Sequence, residues 1–311
     1  MAGAIPEVTE TIRLDRPGVA AAPSLKNKVA AYVSLTKPRI IELLLVTTVP
    51  AMVVAQRGLP SLSLILWTLV GGTLAAGGAN AINCYVDRDI DQLMRRTQRR
   101  PLPTHRIAES HALVFGIALG AAAFVILWTL VNLVSALLAT AALLFYVFVY
   151  TIGLKRTTPQ NIVIGGAAGA VPVLVGWAAV TGTIDPPAIA MFGIVFYWTP
   201  PHFWALAMKY EKDYAAANVP MMPVVYGRAE TAKHILLYSL LLLATCLVFF
   251  SVAQMGAIFL VAAVVLNTIF IAGAVKLWRK PTTEAAWLLF RYSISYLALL
   301  FASMAADQLI S

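Results

Sequence analysis

LSLILWTLVGGTLAAGGANAINCYVDRDID, residues 62–91, is the stretch that decides the fold of this chain. It begins as an apolar run that is long enough to cross a bilayer as a helix, and it ends in a polar, acidic segment. If the helix continues through this end, Asn83, Asp87 and Asp91 recur at every fourth position and lie on one face. Carboxylate and amide oxygens suit a hard divalent cation such as Mg²⁺. The stretch therefore predicts a transmembrane helix with a metal-binding end.

The arginines that follow this face extend its chemistry toward phosphate. Arg95, Arg96, Arg99 and Arg100 precede Pro101. A guanidinium group holds two phosphate oxygens through a bidentate fork. Arg96 and Arg100, which lie four residues apart, are therefore the candidate phosphate-binding residues. A cation site beside arginines indicates a bound diphosphate. The alternatives are a solvated loop in which arginines balance the acids, and a purely topological run of positive charge.

The composition places most of the chain in a membrane. Of the 311 residues, 60% are hydrophobic and only 12% are charged, which is typical of an integral membrane protein. Runs of about 18 or more apolar residues predict an all-α protein with nine transmembrane helices. The predicted spans are 40–56, 62–83, 111–130, 133–152, 161–181, 188–208, 234–252, 257–276 and 288–307. The glycine pairs Gly71-Gly72, Gly77-Gly78 and Gly165-Gly166 predict close helix packing.

The distribution of Lys and Arg predicts the orientation of these spans. With the amino terminus inside, basic residues between the spans fall on the cytoplasmic side and only Arg57 falls on the outer side, in agreement with the positive-inside rule. We therefore expect a multi-pass protein of the bacterial inner membrane with a cytoplasmic N-terminus and a periplasmic C-terminus. The same asymmetry accounts for the net charge of +9, so the lipid bilayer is an expected partner and nucleic acid is not.

The first residues of the chain carry no apolar segment of transmembrane length. They include Glu7, Glu10 and Asp15, and they lack both the apolar core of a signal peptide and the acid-poor composition of a mitochondrial transit peptide. Residues 1–36 therefore predict a loose cytoplasmic N-terminal tail. Residues 37–311 predict a single transmembrane domain.

Loop lengths suggest an internal repeat. Two inner loops, 84–110 and 209–233, are long and follow the second and sixth predicted spans, whereas the outer connections are short. This spacing predicts two parallel four-helix repeats, at 37–156 and 157–280, with a ninth helix at 288–307. Such a repeat brings both long loops to the same face of the membrane.

The second long loop carries another set of charged and aromatic residues. The segment before it contains Pro200-Pro201-His202, and the two prolines predict a break in the sixth span. Lys209 and Asp213 follow, and a continuous helix would place them on one face. A third polar cluster ends the fourth span with Tyr150, Lys155 and Arg156. We expect the three clusters to converge on one anionic ligand.

Four motifs of the chain occur together in one known family. They are Asp87-Arg-Asp-Ile-Asp91…Met94-x-Arg96-Thr97-x-x-Arg100-Pro101-Leu102, Lys155-Arg156-x-x-Pro159-x-Asn161, Trp198-x-Pro200-Pro201-His202-Phe203 and Asp213-Tyr214…Val219-Pro220-Met221. Together they resemble the UbiA superfamily of intramembrane prenyltransferases, and within it the haem O synthases (protohaem IX farnesyltransferases). The resemblance extends from about the first span to the last.

The resemblance implies both a fold and an activity. The expected fold is a nine-helix bundle whose central cavity opens to the cytoplasmic side. The expected activity transfers a farnesyl group from farnesyl diphosphate to a vinyl group of haem B, with hydration and release of pyrophosphate, and produces haem O for terminal oxidases. Haem B is then a substrate and not a fixed prosthetic group. Haem A synthase or oxidase assembly factors are the partner proteins that this role suggests.

The resemblance also implies roles for residues of the three clusters. The metal ligands for Mg²⁺, expected as two ions, would be Asn83, Asp87, Asp91 and Asp213. The diphosphate-binding residues would be Arg96, Arg100, Lys155, Arg156, Lys209 and Tyr150. The catalytic set would be Asp87, Asp91, Asp213 and Lys155, and His202 would bind haem. The chain departs from many members of the superfamily at one point, where Lys209-x-x-x-Asp213 replaces a pair of aspartates.

Several of these residues have a second interpretation. Lys155 and Arg156 satisfy the positive-inside rule without any ligand, and His202 is equally well explained as a structural histidine. Glu42, near the start of the first span, is either functional or paired with a nearby cation.

Three other functions make different demands on these residues. A UbiA-like aromatic prenyltransferase that acts on a quinone precursor would use the same metal and diphosphate residues. A membrane transporter predicts charges at the membrane midplane, whereas the ionisable residues here cluster at one face. A b-type electron carrier requires opposed histidines deep within the helices, and only His202 lies deep enough.

Overall fold

The computed structural model describes residues 24–310, apart from the side chains of residues 39–45, and this part of the chain contains helices but no strand. The helices are α1 (Leu25–Thr36), α2 (Pro38–Gln56), α3 (Leu62–Val86), α4 (Arg88–Leu93), α5 (Glu109–Leu130), α6 (Leu133–Leu144), α7 (Asn161–Thr181), α8 (Pro186–Lys209), α9 (Glu211–Ala216), α10 (Met222–Val225), α11 (Gly227–Val252), α12 (Ala257–Arg279) and α13 (Thr283–Ile310). Helix α6 continues directly as a π-helix, Phe145–Leu154. The all-α prediction is confirmed.

Seven helical segments are long and apolar enough to cross a membrane. They are Leu62–Val86, Glu109–Leu130, Leu133–Leu154, Asn161–Thr181, Gly227–Val252, Ala257–Arg279 and Thr283–Ile310. The chain is therefore a multi-pass membrane protein, and each predicted span lies within an observed helix. The count of nine is not confirmed and stays a prediction for α2 and α8. Glu42 of α2 lies outside the described side chains.

The second half of the bundle forms a continuous apolar core. Helix α2 packs against α7 and α13, and α8 packs against α7, α11 and α13. Aromatic rings meet edge to face in this core, as between Phe270 and Tyr296 at 5.0 Å and between Phe249 and Phe259 at 5.2 Å, an arrangement that aromatic quadrupoles favour. The end of α8 that carries Trp204 and Met208 is buried in the same core. The four-helix repeats and the central cavity stay predictions.

Helices α3 and α5 approach closely because glycine takes the place of a side chain at their contact. A Cβ on Gly78 would lie 2.7 Å from the backbone oxygen of Gly116, whereas one on Gly72 would meet nothing within 4 Å. The prediction of close packing is thus confirmed at Gly78 and wrong at Gly72.

Gly78→Ala is expected to lower the free energy of unfolding by about 1–3 kcal/mol, because the new methyl group meets the backbone of α5 and not a flexible side chain. Gly72→Ala on the same helix is the matched control. It adds a methyl group in open space and is expected to be neutral or slightly stabilising, since alanine favours a helix over glycine. Thermal unfolding of both variants in one detergent measures the difference. Equal melting temperatures would contradict the prediction.

Helix α1, Leu25–Thr36, forms the last part of the predicted loose tail, residues 1–36. Ser24 caps it by accepting a hydrogen bond from the Asn27 N–H at 3.3 Å. Ala31 and Leu35 are buried in a cluster that includes Cys84 of α3. The prediction of a loose tail is wrong for α1, because this apolar face packs on the bundle. The stretch 1–23 lies outside the described residues.

Helix α8 continues through the prolines that were expected to break it. Pro200 and Pro201 are buried inside the helix. They remove two backbone donors, but α7, α11 and α13 pack along the same helix, and this tertiary packing outweighs the lost hydrogen bonds. The predicted break is therefore wrong, and His202 lies within a continuous helix.

Candidate active site

A continuous helical register carries the polar face of α3 through Asp87 into α4. The N–H of Asp87 donates to the Asn83 carbonyl oxygen, and the N–H of Asp91 donates to the Asp87 carbonyl oxygen, each at 2.9 Å. Asn83, Asp87 and Asp91 therefore share one face, as the sequence predicts. All three residues are buried. The alternative of a solvated loop is wrong for these three side chains.

Asp87 is fully buried and has one satisfied and one unsatisfied oxygen. Its Oδ2 accepts hydrogen bonds from Lys155 Nζ and from Asn83 Nδ2, the latter at 2.7 Å. The Arg156 guanidinium lies 3.7 Å from Oδ1, and Oδ1 has no hydrogen-bond partner among the described residues. A buried carboxylate oxygen without a donor is costly unless a ligand or cation meets it. Asp87 Oδ1 is therefore an available ligand atom.

The π-helix aims two side chains at this face. In an α-helix the Tyr150 carbonyl would accept from the residue four positions later, but here it accepts from Lys155, five positions later, at 2.8 Å. The wider turn lets Asn83 Nδ2 donate to Thr151 Oγ1 at 3.1 Å while Lys155 reaches Asp87. Such π-helical segments are frequent at functional sites. No pattern in the sequence predicts this one.

Tyr150 lies in the helix interface beside the charged residues. Its ring stacks on Tyr146 with 5.3 Å between centroids, and it fills the space beside Gly165, where an added Cβ would overlap it. The assignment of Tyr150 to diphosphate stays a prediction.

Asp91 is paired with Arg100 at the end of the same face. Arg100 Nη1 donates to both carboxylate oxygens, at 2.9 and 2.8 Å. Because α4 ends at Leu93 and turns follow, Arg96 and Arg100 do not act as neighbours on one helix face. The buried Asp91 carboxylate requires a cation, and the chain turns so that Arg100 reaches back to it.

The two inner loops meet through Asp213, as the sequence predicts. The N–H of Arg96 donates to Asp213 Oδ2 at 3.3 Å. The Arg96 guanidinium also lies over the ring of Tyr210, 5.6 Å from its centroid, within the range of a cation–π contact. Residues from both long loops thus lie at one end of the bundle.

Lys209 and Asp213 do not share a helix face. Helix α8 ends at Lys209 and the chain bends at Tyr210 before α9, so the expectation of one continuous helix is wrong. Lys209 Nζ lies 3.2 Å from the centroid of the Trp287 ring on α13, a cation–π contact. Its role in binding diphosphate stays a prediction.

Two arginines pair with acids outside the buried face. Arg156 donates to both oxygens of the exposed Asp89, at 2.6 and 2.7 Å, and this fork holds the pKa of the Asp89 carboxyl below its usual value. Arg228 of α11 donates to Glu211 at 2.7 Å and to Thr283 at 3.0 Å, which ties α9 to α11 and α13. The sequence missed Arg228, because a basic residue beside a span is usually only a topological signal.

Lys37 is a further residue that the sequence missed as part of the site. It lies between α1 and α2 with φ at +54°, a left-handed conformation that costs a non-glycine residue about 1–3 kcal/mol. Its Nζ donates to Asn83 Oδ1 at 2.6 Å. Burial lowers the pKa of Lys37 to about 8, and the charges of Arg100 and Lys155 also lower it. Lys37-Pro38 is the signal that could have drawn attention to it, because proline fixes the start of a helix.

His202 lies in an aromatic layer between α8 and α13. Its ring stacks on Trp198 with 4.3 Å between centroids and tilts over Phe290 at 4.7 Å. Ser293 Oγ lies 2.6 Å from Nδ1 and donates its own proton to the Phe290 carbonyl oxygen. Ser293 must therefore accept from Nδ1–H, and neutral His202 has its lone pair on Nε2. The hydrogen bond at Nδ1 agrees with a structural role for His202, and Nε2 is available as a ligand atom.

The donor set fits Mg²⁺ only if another ligand completes its coordination. No cluster of three or more His, Cys, Asp or Glu side chains occurs in the described part of the chain. Mg²⁺ is commonly held by one or two carboxylates together with waters and phosphate oxygens. Asp87, Asp91 and Asp213 match this sparse set, and Asp87 Oδ1 accepts no hydrogen bond from the described residues. The residues present therefore fit a metal ion that binds with a phosphate ligand.

Comparison with known proteins identifies close relatives. Residues 44–301 match the UbiA prenyltransferase family. The chain is 54% identical over 289 residues to a protein of Frankia alni named Protoheme IX farnesyltransferase, a match that covers 92% of this chain and 100% of the relative. Proteins of the same name from Roseiflexus sp. and Chloroflexus aurantiacus are 52% and 50% identical over 98% and 94% of this chain. The chain spans about half the length of these two relatives, 56% and 50%.

Solved structures share the fold. A structure described as digeranylgeranylglyceryl phosphate synthase has a TM-score of 0.75 at 16% identity and covers 91% of this chain and 99% of its own. A UbiA homologue from Archaeoglobus fulgidus bound to DMAPP and Mg²⁺ has a TM-score of 0.62 at 19% identity and covers 86% and 98%. At these identities the likeness concerns the fold alone. Because the family match, the full-length relative and the fold agree, the chain belongs to the UbiA prenyltransferase family, alongside members named protoheme IX farnesyltransferase.

Proposed function

We propose that the chain is a Mg²⁺-dependent prenyltransferase that joins the farnesyl group of farnesyl diphosphate to a vinyl group of haem B. The carbon–oxygen bond of the allylic diphosphate breaks and pyrophosphate leaves. One vinyl carbon bonds to the farnesyl carbon, and the cation left on the other carbon takes up water and loses a proton, giving haem O. The observation that carries the proposal is the 54% identity to a full-length relative named Protoheme IX farnesyltransferase.

The charge of the site suits a departing pyrophosphate. Ionisation of an allylic diphosphate places negative charge on the leaving group, and preorganised cations stabilise that charge. The cations that we assign to this role are Arg96, Arg100, Lys155, Arg156 and Lys209, with Tyr150 as a further donor. Mg²⁺, for which we propose two ions, would stabilise the same charge as a Lewis acid. A UbiA homologue described as bound to GPP and Mg²⁺ supports this use of the metal.

The acidic residues position the leaving group. We assign metal binding to Asn83, Asp87, Asp91 and Asp213. Asp87 and Asp91 hold the partner cations Lys155 and Arg100 within the same face, so cations and metal ligands stay adjacent. Because this face is buried, the reacting carbon is kept away from bulk water. Lys155, paired with Asp87, is the catalytic cation that we expect to contact a phosphate oxygen.

The acceptor is assigned to the aromatic layer around His202. Porphyrins are large apolar rings, and the flat rings of Trp198 and Phe290 next to His202 suit such a surface. Neutral His202 presents an Nε2 lone pair, the atom that ligates haem iron in many proteins.

The side of the membrane on which we place the site is inferred from the charge of the site. Lys37, Arg100, Lys155, Arg156 and Lys209 cluster at the end of the bundle that holds Asp87, and positive charge is retained on the cytoplasmic side. We therefore propose the bacterial inner membrane, with the N-terminus cytoplasmic and the C-terminus periplasmic. Haem A synthase or oxidase assembly factors are the proposed partners that take up haem O.

Incubation of purified protein in detergent with haem B, farnesyl diphosphate and Mg²⁺ tests the function. The expected result is a porphyrin product whose mass has increased by one farnesyl group and one hydroxyl group, and whose formation depends on Mg²⁺. A parallel reaction offers 4-hydroxybenzoate as an aromatic acceptor. Prenylation of that acceptor with no change in haem B would overturn the assignment of the acceptor and favour a quinone-precursor prenyltransferase.

His202→Ala is expected to weaken haem binding by about tenfold, which corresponds to about 1.4 kcal/mol, because it removes Nε2 and a stacking surface. Binding of farnesyl diphosphate should change little. Titration of the Soret absorbance and binding of a labelled farnesyl diphosphate measure the two effects separately. His111→Ala, an exposed histidine of α5, is the control. An unchanged haem titration for His202→Ala would refute the proposed contact.

A further inference from the structure

The side-chain oxygens of the buried face are nearly all paired. Arg100 holds both oxygens of Asp91, and Lys155 Nζ holds Asp87 Oδ2. Lys37 Nζ holds Asn83 Oδ1 at 2.6 Å. A metal ion that binds Asn83 through this oxygen would lie beside the Lys37 ammonium group, and repulsion between the two cations favours displacement of the ammonium group.

Lys37 differs from Arg100, Lys155 and Arg156 in the charge of its partner. Arg100 pairs with Asp91, Lys155 with Asp87, and Arg156 with Asp89. Lys37 instead donates to an amide oxygen, which carries no formal charge. Among the described side chains, no carboxylate forms an ion pair with Lys37; Lys209 and Arg96 share this lack, but their charged groups lie over the rings of Trp287 and Tyr210. Lys37 is partly buried, and a cation with little solvent around it and no charged partner attracts an anion.

The position of Lys37 also suits a binding role. Its left-handed backbone is followed at once by Pro38, which starts α2, so the side chain is directed from a stiff corner. Strained backbone conformations of this kind persist where the surrounding structure holds them, and they cluster at functional sites. The hydrogen bond from Asn80 Nδ2 to the Thr36 carbonyl oxygen, at 2.9 Å, fixes the corner to α3.

We propose that Lys37 binds the diphosphate, and that its movement from Asn83 to a phosphate oxygen frees Asn83 Oδ1 for the metal ion. This inference rests on the proposed function and adds a residue to it. Metal and diphosphate then bind together. A divalent cation alone would add charge to a cluster in which cations already outnumber carboxylates, and a diphosphate alone would face Asp87 and Asp91.

Binding measurements on the full chain in detergent test the proposal without any turnover. Mn²⁺ replaces Mg²⁺ and is followed by electron paramagnetic resonance, and labelled farnesyl thiodiphosphate serves as a slowly ionising ligand. For the wild-type chain we expect Mn²⁺ to bind about tenfold more tightly when the thiodiphosphate is bound, with the reciprocal effect on the thiodiphosphate. Equal Mn²⁺ affinity with and without the ligand would overturn the proposal.

Lys37→Met separates this role from general electrostatics. We expect the variant to bind Mn²⁺ alone more tightly than the wild type and to bind the thiodiphosphate about tenfold more weakly in the presence of Mn²⁺. Lys28→Met removes the same charge from an exposed position on α1 and should change neither affinity. Equal weakening in both variants, or none in Lys37→Met, would overturn the proposal. Lys37→Arg retains the charge and should bind the ligand nearly as well as the wild type.

These outcomes are distinguishable from failure of the proposed function, because no haem is present. Coupled binding that depends on Lys37 would stand even if the product assay yielded no haem O. If the wild type forms haem O and Lys37→Met binds the ligand as the wild type does, the proposed role of Lys37 is refuted and the proposed function stands. If Lys37→Met does not fold, Lys37→Gln removes the same charge but retains a donor for Asn83 Oδ1, and unchanged thiodiphosphate binding by that variant would overturn the role of Lys37.

Discussion

Asp87→Asn is expected to lower the rate of farnesyl transfer by about a hundredfold or more, the scale of losing one preorganised charge contact to a reacting group. The substitution preserves shape but removes the negative charge that holds Lys155 and that offers Oδ1 to a metal ion. Asp91→Asn should act in the same direction, because it releases Arg100. Initial rates at saturating Mg²⁺ and farnesyl diphosphate measure the effect.

Asp89→Asn is the matched control for this prediction. It removes the same charge two positions away, but Asp89 is exposed and pairs only with Arg156. We expect its rate to stay within about fivefold of the wild type, since exposed ion pairs contribute little. Membrane insertion and the elution profile in detergent should be normal for both variants. Substantial Mg²⁺-dependent turnover by Asp87→Asn would contradict its role as a metal ligand.

Lys155→Met is expected to destabilise the protein by about 3–5 kcal/mol, the cost of leaving one partner of a buried ion pair without its counter-charge. Asp87 is fully buried and Lys155 is 15% exposed, so little solvent is available to compensate. Arg156, 3.7 Å from Asp87, should keep the loss near the lower end of this range. Farnesyl transfer should fall as well, because a phosphate-binding cation is removed.

A double-mutant cycle separates the two effects of Lys155. Asp87→Asn/Lys155→Met removes both charges and is expected to be more stable than Lys155→Met alone, although it should remain inactive. Thermal unfolding in detergent and initial rates are measured for the four proteins. If the double variant were as unstable as the sum of the single variants, the ion pair would not couple the two residues, and the predicted buried partnership would be wrong.

The helices could be predicted because their cause is local. Apolar runs such as 62–83 must satisfy their backbone hydrogen bonds internally once they are in lipid, so length and composition suffice to locate them. The register of Asn83, Asp87 and Asp91 was predictable for the same reason, because it needed only the helix to continue by about two turns. The meeting of the two loops at Asp213 followed from the topology.

The errors lie where distant contacts decide the local structure. Pro200 and Pro201 do not break α8, because three helices pack around it. The chain bends at Tyr210, and Lys209 contacts the Trp287 ring. The spacing of four residues between Lys209 and Asp213 therefore does not identify the group that Lys209 contacts. Arg100 turns back to Asp91 because a buried carboxylate needs a cation, wherever the chain can supply one.

The sequence by itself determined a helical membrane protein with acidic and basic clusters at one membrane face, since hydropathy and charge act over a single helix or loop. Only the tertiary structure decided which cation meets which oxygen. The π-helix brings Lys155 to Asp87, and the corner before α2 brings Lys37 to Asn83. The physical reason is that a buried charge takes its partner from whatever lies close in space, and closeness across helices depends on packing that no single segment specifies.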